Sequence, residues 1–270
     1  MPELPEIHHL AGQMQRTLRG RRIQKVEVRQ PKCLNVPARD FARLLTGRVI
    51  DRVTSRGKWI FVHLDPGVAL LVSLGMGGDL LWHKPGAPAA ERYQLKIDFA
   101  DRSCLTIRFW WFGYAHALPA GKLGTHKMTH TLGLNPLDRA KFTYERFSAL
   151  LAGRRGAIKA LLMNQRNVAG IGNVYIQDIL FLAGLHPNRP IPEITERERV
   201  TLHQAIVTNL TDAAKRGGLA YEKDLHGKGG GIKGFLVGYR EGKPCPRCHT
   251  PVRKIRTGST ASFICPRCQV

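Results

Sequence analysis

Four cysteines near the end of the chain carry the clearest chemistry in the sequence. Cys245-Pro-Arg-Cys248 is followed, after sixteen intervening residues, by Cys265-Pro-Arg-Cys268. Two knuckles at this spacing supply four thiolates to one tetrahedral structural zinc, and a closed four-sulfur set leaves no open position for catalysis. Between them lie Arg253, Lys254 and Arg256 and the turn residues TGST, which predict a β-hairpin with a basic edge suited to nucleic acid. The other two cysteines, Cys33 and Cys104, are expected as buried small hydrophobes.

A second group of reactive residues opens the chain, MPELPEIHHL, where Pro2 is followed by Glu3 and Glu6, three apart. The ordinary reading is a helix start: proline is tolerated in a first turn, and carboxylates there complement the helix dipole. Lys58 in SRGKWIF sits after a glycine turn at the mouth of a strand, as many solvated edge lysines do. The Gly-x-Gly turn of AGIGNVY precedes a helix starting near Asn173, and exposed backbone N–H groups there suit a phosphate. His126 and His130 share a helical spacing but lack a third ligand nearby, so they are expected on the surface. Trp110 and Trp111 fit a core or a base-stacking surface equally well. The glycines of HGKGGGIKGF, 226 to 235, do not match a phosphate-binding GxxxxGK[ST] loop and are expected as a mobile loop.

The elements that must position these groups follow from periodicity. Ile7, Leu10, Ala11, Met14 and Leu18 fall at helical spacing from Glu3 to about Gly20. Short β-branched runs near 48, 58, 68, 93 and 104, parted by Gly, Pro and Asp, predict antiparallel strands of a sandwich or barrel. After about residue 136 the pattern turns helical, in FSALLAGRRGAIKALLMNQ and ERERVTLHQAIVTNLTDAAKRGG. The fold class is therefore α+β. The expected division is 1–133 for the sandwich, 134–225 for the helical domain, 226–240 for a loop and linker, and 241–270 for the cysteine module.

Bulk composition narrows the partner. The 270 residues hold 42 Lys and Arg against 20 Asp and Glu, a formal charge of +22, with 43% hydrophobic content. Such self-repulsion favours an anionic partner, and a polyphosphate backbone fits it well. No apolar run approaches a membrane span and the first residues lack a signal pattern, so a cytoplasmic, nucleoid-associated protein is expected.

Taken together, PELPE, the RGK strand start, the LGM of Ser73-Leu74-Gly75-Met76-Gly77-Gly78, Phe112-Gly113, LGLNPL, AGIGNVY and the four-cysteine hairpin resemble one family in order and spacing. It is the formamidopyrimidine-DNA glycosylase and endonuclease VIII family, and the likeness covers essentially the whole chain, closer to the formamidopyrimidine-DNA glycosylase branch. The resemblance implies an N-terminal helix on an antiparallel β-sandwich, then a helix-two-turn-helix domain and a zinc finger, with DNA in the cleft between. It implies a monomeric base-excision-repair enzyme that flips an oxidised or ring-opened base out of double-stranded damaged DNA, removes it and cuts the strand as an abasic-site lyase.

By the same resemblance Met1 is removed and the secondary amine of Pro2 is the nucleophile. An α-amino group titrates near about 7.7 to 8.0 against about 10.4 for lysine, so more of it is neutral at working pH. Attack on C1′ gives an iminium that opens the way to β- and δ-elimination. Glu3 matches the acid/base residue, Glu6 a supporting carboxylate, Lys58 a phosphate contact near the lesion, and Asn173 the asparagine that grips the backbone. Met76 and Phe112 match residues that fill and wedge the gap left by the extruded base.

Three positions depart from the family pattern. Ser73 stands where a histidine is usual, Trp111 where an arginine pairs with the orphaned base, and Thr260 where the zinc hairpin carries an arginine, a role for which Arg256 is the nearby substitute. Chemistry is therefore expected to persist with altered lesion or opposite-base preference. The alternatives are an oxidised-pyrimidine or other-lesion glycosylase of the same family, and a damaged-DNA-binding protein without turnover.

Overall fold

A computed structural model describes residues 2–270, which divide into two compact units. The first comprises residues up to 131 together with 214–231, and the second comprises 132–213 with 232–270. The sequence reading places 214–225 with the helical domain. Contacts instead group that stretch with the first unit, because it binds the N-terminal helix through hydrogen bonds described below.

In the first unit, helix α1 (Leu4–Leu18) buries Leu4, Ile7, Leu10, Met14 and Leu18 along one stripe, as the spacing predicts. Two four-stranded antiparallel sheets follow. One has the order β2 (Val49–Arg56), β3 (Trp59–Asp65), β4 (Val68–Ser73), β8 (Tyr114–Pro119). The other has the order β1 (Ile23–Val28), β6 (Leu95–Phe99), β7 (Cys104–Arg108), β5 (Asp79–His83). A single core joins α1 to both sheets and to Phe41 and Leu45 of the short helix α2 (Ala38–Leu45).

The five predicted strands are all present, and β1, β5, β8 and α2 are additional. In β1 and α2 the apolar content is thin: β1 reads IQKVEV, and α2 fully buries only Phe41 and Leu45. Cys33 and Cys104 are buried, as expected of small hydrophobes.

The second unit holds α3 (Tyr144–Leu151), α4 (Ile158–Met163), α5 (Tyr175–Ala183) and most of α6 (Glu196–Lys215). The run expected as continuously helical breaks between α3 and α4 at Ala152–Ala157, where the two glycines of AGRRGA disfavour helix. The strands β9 (Arg253–Thr257) and β10 (Thr260–Ile264) form the expected hairpin. It is docked on α4 and α5 by polar side chains: Gln177 Oε1 accepts from Phe263 N at 3.0 Å, and Lys159 donates into the hairpin. No helix among the described residues is long and apolar enough to cross a membrane.

Candidate active site

Pro2 and Glu3 lead into α1 and both are buried, Glu3 with only 2% of its surface exposed. Removal of Met1 concerns a residue outside those described. Glu3 and Glu6 form a capping box, with the Glu3 backbone N–H donating to Glu6 Oε2 at 2.8 Å. The other oxygen of the same carboxylate, Glu6 Oε1, accepts from the Leu219 backbone N–H at 3.0 Å. At Gly218, φ is +81° and an added Cβ would lie 2.3 Å from Glu6 Oε1, so only glycine lets the loop approach that closely. One buried carboxylate thus ties the start of α1 to a loop more than two hundred residues away.

Gln13, two turns further along α1, holds the same loop. Its Nε2 donates to Asp224 Oδ2 at 2.8 Å, and its Oε1 accepts from Leu225 N at 2.9 Å. Leu225 is wholly buried in the sandwich core, and its carbonyl accepts from Trp82 N. Gly230 N donates to Leu219 O, and Gly231 N to Arg216 O, folding the stretch back on itself. Gly229, Gly230 and Gly231, expected within a mobile loop, therefore lie in a close backbone crossing. Gln13 and Leu219 carry no local sequence signal, since their roles exist only across the fold.

Lys58 occupies the second position of the two-residue turn Gly57-Lys58, closed by the Arg56↔Trp59 pair of β2 and β3. It is half-buried. The turn is anchored by Trp59, which is buried against Tyr114, His116 and His126. His116 Nδ1 and His126 Nε2 share a hydrogen bond of 2.8 Å, and His126 Nδ1 meets Thr129 Oγ1 at 2.8 Å. His126 is therefore an interior residue and not the surface histidine expected; His130 is exposed. Burial, then the neighbouring His126, pushes the His116 imidazole down to about 4.

The LGM turn and the segment after β7 form one structure. Met76 and Trp111 pair by backbone hydrogen bonds, Met76 N to Trp111 O at 2.9 Å and Trp111 N to Met76 O at 3.2 Å. A Cβ on Gly75 would fall 2.0 Å from Trp111 O, so this crossing also demands glycine. The paired loops leave Met76, Trp110, Trp111 and Phe112 largely in solvent, with Trp110 75% exposed. Neither tryptophan is core; both are exposed on the paired loops. Phe112 holds a positive φ of 53°, uncommon for an aromatic residue.

In the second unit Asn173 lies two residues before α5, and its backbone O and Oδ1 both accept from Gln177 Nε2. Gln165 braces the preceding turn through Gly170 N and Ile171 O. Arg256 is exposed on β9, its Nε turned to Gly258 O. Thr260 points to a different task. Its Oγ1 accepts from Lys159 Nζ at 2.9 Å, alongside Thr257 Oγ1, Ser262 Oγ and Ala261 O at 2.8 to 3.1 Å. Lys159 is 3% exposed, and burial pushes its ammonium down to about 8.

The sulfurs of Cys245, Cys248, Cys265 and Cys268 all lie within 4.8 Å of one another. The Cys248–Cys265 and Cys245–Cys268 separations are 3.4 and 3.9 Å. A tetrahedron with Zn–S bonds of about 2.3 Å has edges of about 3.8 Å, so the donor set fits one structural zinc.

Comparison with known proteins agrees with this geometry. Residues 1–109 match the formamidopyrimidine-DNA glycosylase N-terminal domain, 132–223 the formamidopyrimidine-DNA glycosylase H2TH domain, and 242–270 the zinc finger found in FPG and IleRS. The formamidopyrimidine-DNA glycosylase of Chloroflexus aggregans is 37% identical, with 100% of this chain and 99% of that protein covered. That of Methylococcus capsulatus is 35% identical with both chains fully covered. The Lactococcus lactis Fpg (MutM) bound to N7-benzyl-Fapy-dG DNA superposes with a TM-score of 0.92 at 26% identity, covering 99% of each chain. The same enzyme with abasic-site DNA gives 0.91 at the same identity and coverage.

Proposed function

This chain belongs to the formamidopyrimidine-DNA glycosylase family, and from that premise we propose that Pro2, Glu3, Glu6 and Lys58 carry its reaction. It is a DNA glycosylase of base-excision repair with one structural zinc held by Cys245, Cys248, Cys265 and Cys268. Abasic-site lyase activity through an N-terminal proline is a feature of its family. The substrate is an oxidised or ring-opened purine, by likeness to relatives named for formamidopyrimidine and solved with Fapy-dG or abasic DNA.

The observation that carries the reading is the built start of α1. With Met1 removed, the Pro2 nitrogen is a secondary amine, and its lone pair attacks C1′ of the damaged nucleotide. The C1′–N bond breaks and the base leaves with a proton; the attacking amine then gives up its own proton, and Glu3 protonates O4′ as the C1′–O4′ bond breaks, which opens the ring to the C1′ iminium. The C1′ iminium acidifies the C2′ proton; its loss breaks C3′–O, and a second elimination breaks C5′–O. The Glu6 carboxylate acts at one remove, fixing the Glu3 backbone and the Leu219 loop together. Lys58 places a cation on a lesion-side phosphate, and Asn173 and Arg256 hold the DNA backbone. Met76, Trp111 and Phe112 fill the gap left by the flipped base, offsetting part of the few kcal/mol lost to unstacking. The working species is a monomer in the cytoplasm, attached to the nucleoid by its charge of +22.

Base release from a formamidopyrimidine duplex tests the assignment. Glu3→Gln is expected to lower base release at least about 100-fold while duplex binding stays within a few-fold. Near-normal release by that variant would remove Glu3 from the mechanism.

A further inference from the structure

Helix α5 is buried almost all round, yet it carries two polar side chains in that setting, Gln177 at 2% exposed and Asp178 at 6%. A buried polar group is costly unless its hydrogen bonds are made, so each needs partners. Asp178 accepts from the backbone N–H groups of Leu236, Val237 and Gly238 at 2.7, 3.0 and 3.0 Å, which fixes the chain leading into the zinc module. Gln177 reaches in two directions. On β10 its Oε1 accepts from Phe263 N at 3.0 Å and its Nε2 donates to Ala261 O at 3.3 Å. The same Nε2 donates to Asn173 O at 2.8 Å and to Asn173 Oδ1 at 3.1 Å. Lys159 Nζ also donates to Ala261 O, at 3.1 Å, and so holds that point of the strand from a second helix.

These partners leave the Gln177 amide one orientation. A backbone N–H can only donate and a backbone carbonyl can only accept, so the atom facing Phe263 is the oxygen and the atom facing Ala261 O and Asn173 O is the nitrogen. That nitrogen can only donate. The Asn173 atom beside it is therefore Oδ1, and Asn173 Nδ2, with its two donors, is turned the other way. A phosphodiester oxygen only accepts hydrogen bonds, so an asparagine amide held in the opposite sense would meet it with a carbonyl oxygen and be repelled. On the reading of Asn173 as a DNA-backbone contact, we propose that Gln177 is its positioning residue: anchored on β10, it holds the Asn173 amide with Nδ2 toward the phosphate. Fixing that orientation before DNA arrives removes an ordering cost from binding.

Dissociation constants for a tetrahydrofuran duplex, measured with wild type, Gln177→Met, Asn173→Ala and the double variant, test this. Methionine keeps the length of the side chain and removes both hydrogen-bonding atoms. Asn173→Ala should weaken binding about tenfold and Gln177→Met about fivefold, with the double variant no more than about twofold beyond Asn173→Ala, because Gln177 then has nothing to orient. On a formamidopyrimidine duplex, Gln177→Met should raise the half-saturating protein concentration about fivefold and leave the maximal single-turnover rate within about twofold. Wild-type affinity in Gln177→Met would overturn the proposal. So would losses that multiply to about fiftyfold in the double variant, since a hairpin merely unseated by the substitution weakens binding with or without Asn173. Wild-type affinity in Asn173→Ala would instead remove Asn173 from the DNA interface, and the proposal would fall with the reading it rests on.

Discussion

At the residue scale, the most informative position is Trp111. Its indole is exposed and its backbone is pinned to Met76, and on the role proposed for it at the DNA it cannot hydrogen-bond a base edge with two parallel donors. Cleavage rates with each of the four bases opposite the lesion should therefore agree within a few-fold. A strong preference for cytosine would show that another residue reads the orphaned base. The local geometry of the site's segments was legible in sequence, because PELPE starts α1 and RGK closes a strand turn on contiguous residues. What was not legible depends on partners far away in sequence. His126 reads as a surface histidine until strands β3 and β8 bring Trp59 and His116 against it. Gln13 reads as one polar residue of an amphipathic helix until Asp224 and Leu225 arrive.

Elements show the same division. Short apolar, β-branched runs between turn residues revealed β2, β3, β4, β6 and β7, whereas β1, β5 and β8 take their strand character from pairing with neighbours. The zinc hairpin was legible from four cysteines, but its dock on α4 was not: a lone lysine in AIKALLM gives no hint that its ammonium ends on four acceptors. Lys159→Met should remove those bonds and leave Thr257 and Ser262 hydroxyls buried, costing about 1–3 kcal/mol of stability, read as a lower Tm. An unchanged Tm would mean that the hairpin docks without it. Chelating the zinc should unfold the hairpin, and far-UV circular dichroism should lose only a small strand signal while the sandwich stays folded. Gln13→Ala should free the 216–231 loop from α1, seen as faster backbone hydrogen exchange at Leu225. Unchanged exchange there would show that Glu6 and the core suffice to hold it.

For the whole molecule, two bulk properties give predictions. With a charge of +22, non-specific duplex affinity should fall steeply with salt, the logarithmic slope changing by about 0.9 for each phosphate neutralised. Arg256→Ala should lower that slope by about one without altering lesion preference, and an unchanged slope would remove Arg256 from the interface. The His116–His126 pair sets an acid limit. His116 is neutral in the fold down to about 4, whereas the unfolded chain takes up a proton near 6.5. Below pH 6.5 the unfolded state therefore binds more protons, and stability falls as pH drops toward 4, by roughly 1–2 kcal/mol after allowing for partial exposure. His116→Phe should flatten the Tm profile over that window, and a profile identical to wild type would place the acid sensitivity elsewhere.

The central claim is that the amine of Pro2 forms a covalent bond to the sugar. Borohydride reduction of the protein mixed with abasic and with 8-oxoguanine duplexes, after mass spectrometry has confirmed Pro2 as the first residue, tests it most directly. A covalent protein–DNA complex that forms with the abasic duplex and is lost in Pro2→Gly is the predicted result. Trapping with the 8-oxoguanine duplex as well would place an oxidised purine among its substrates. A chain that begins at Pro2, binds the abasic duplex and still yields no covalent complex would contradict the account.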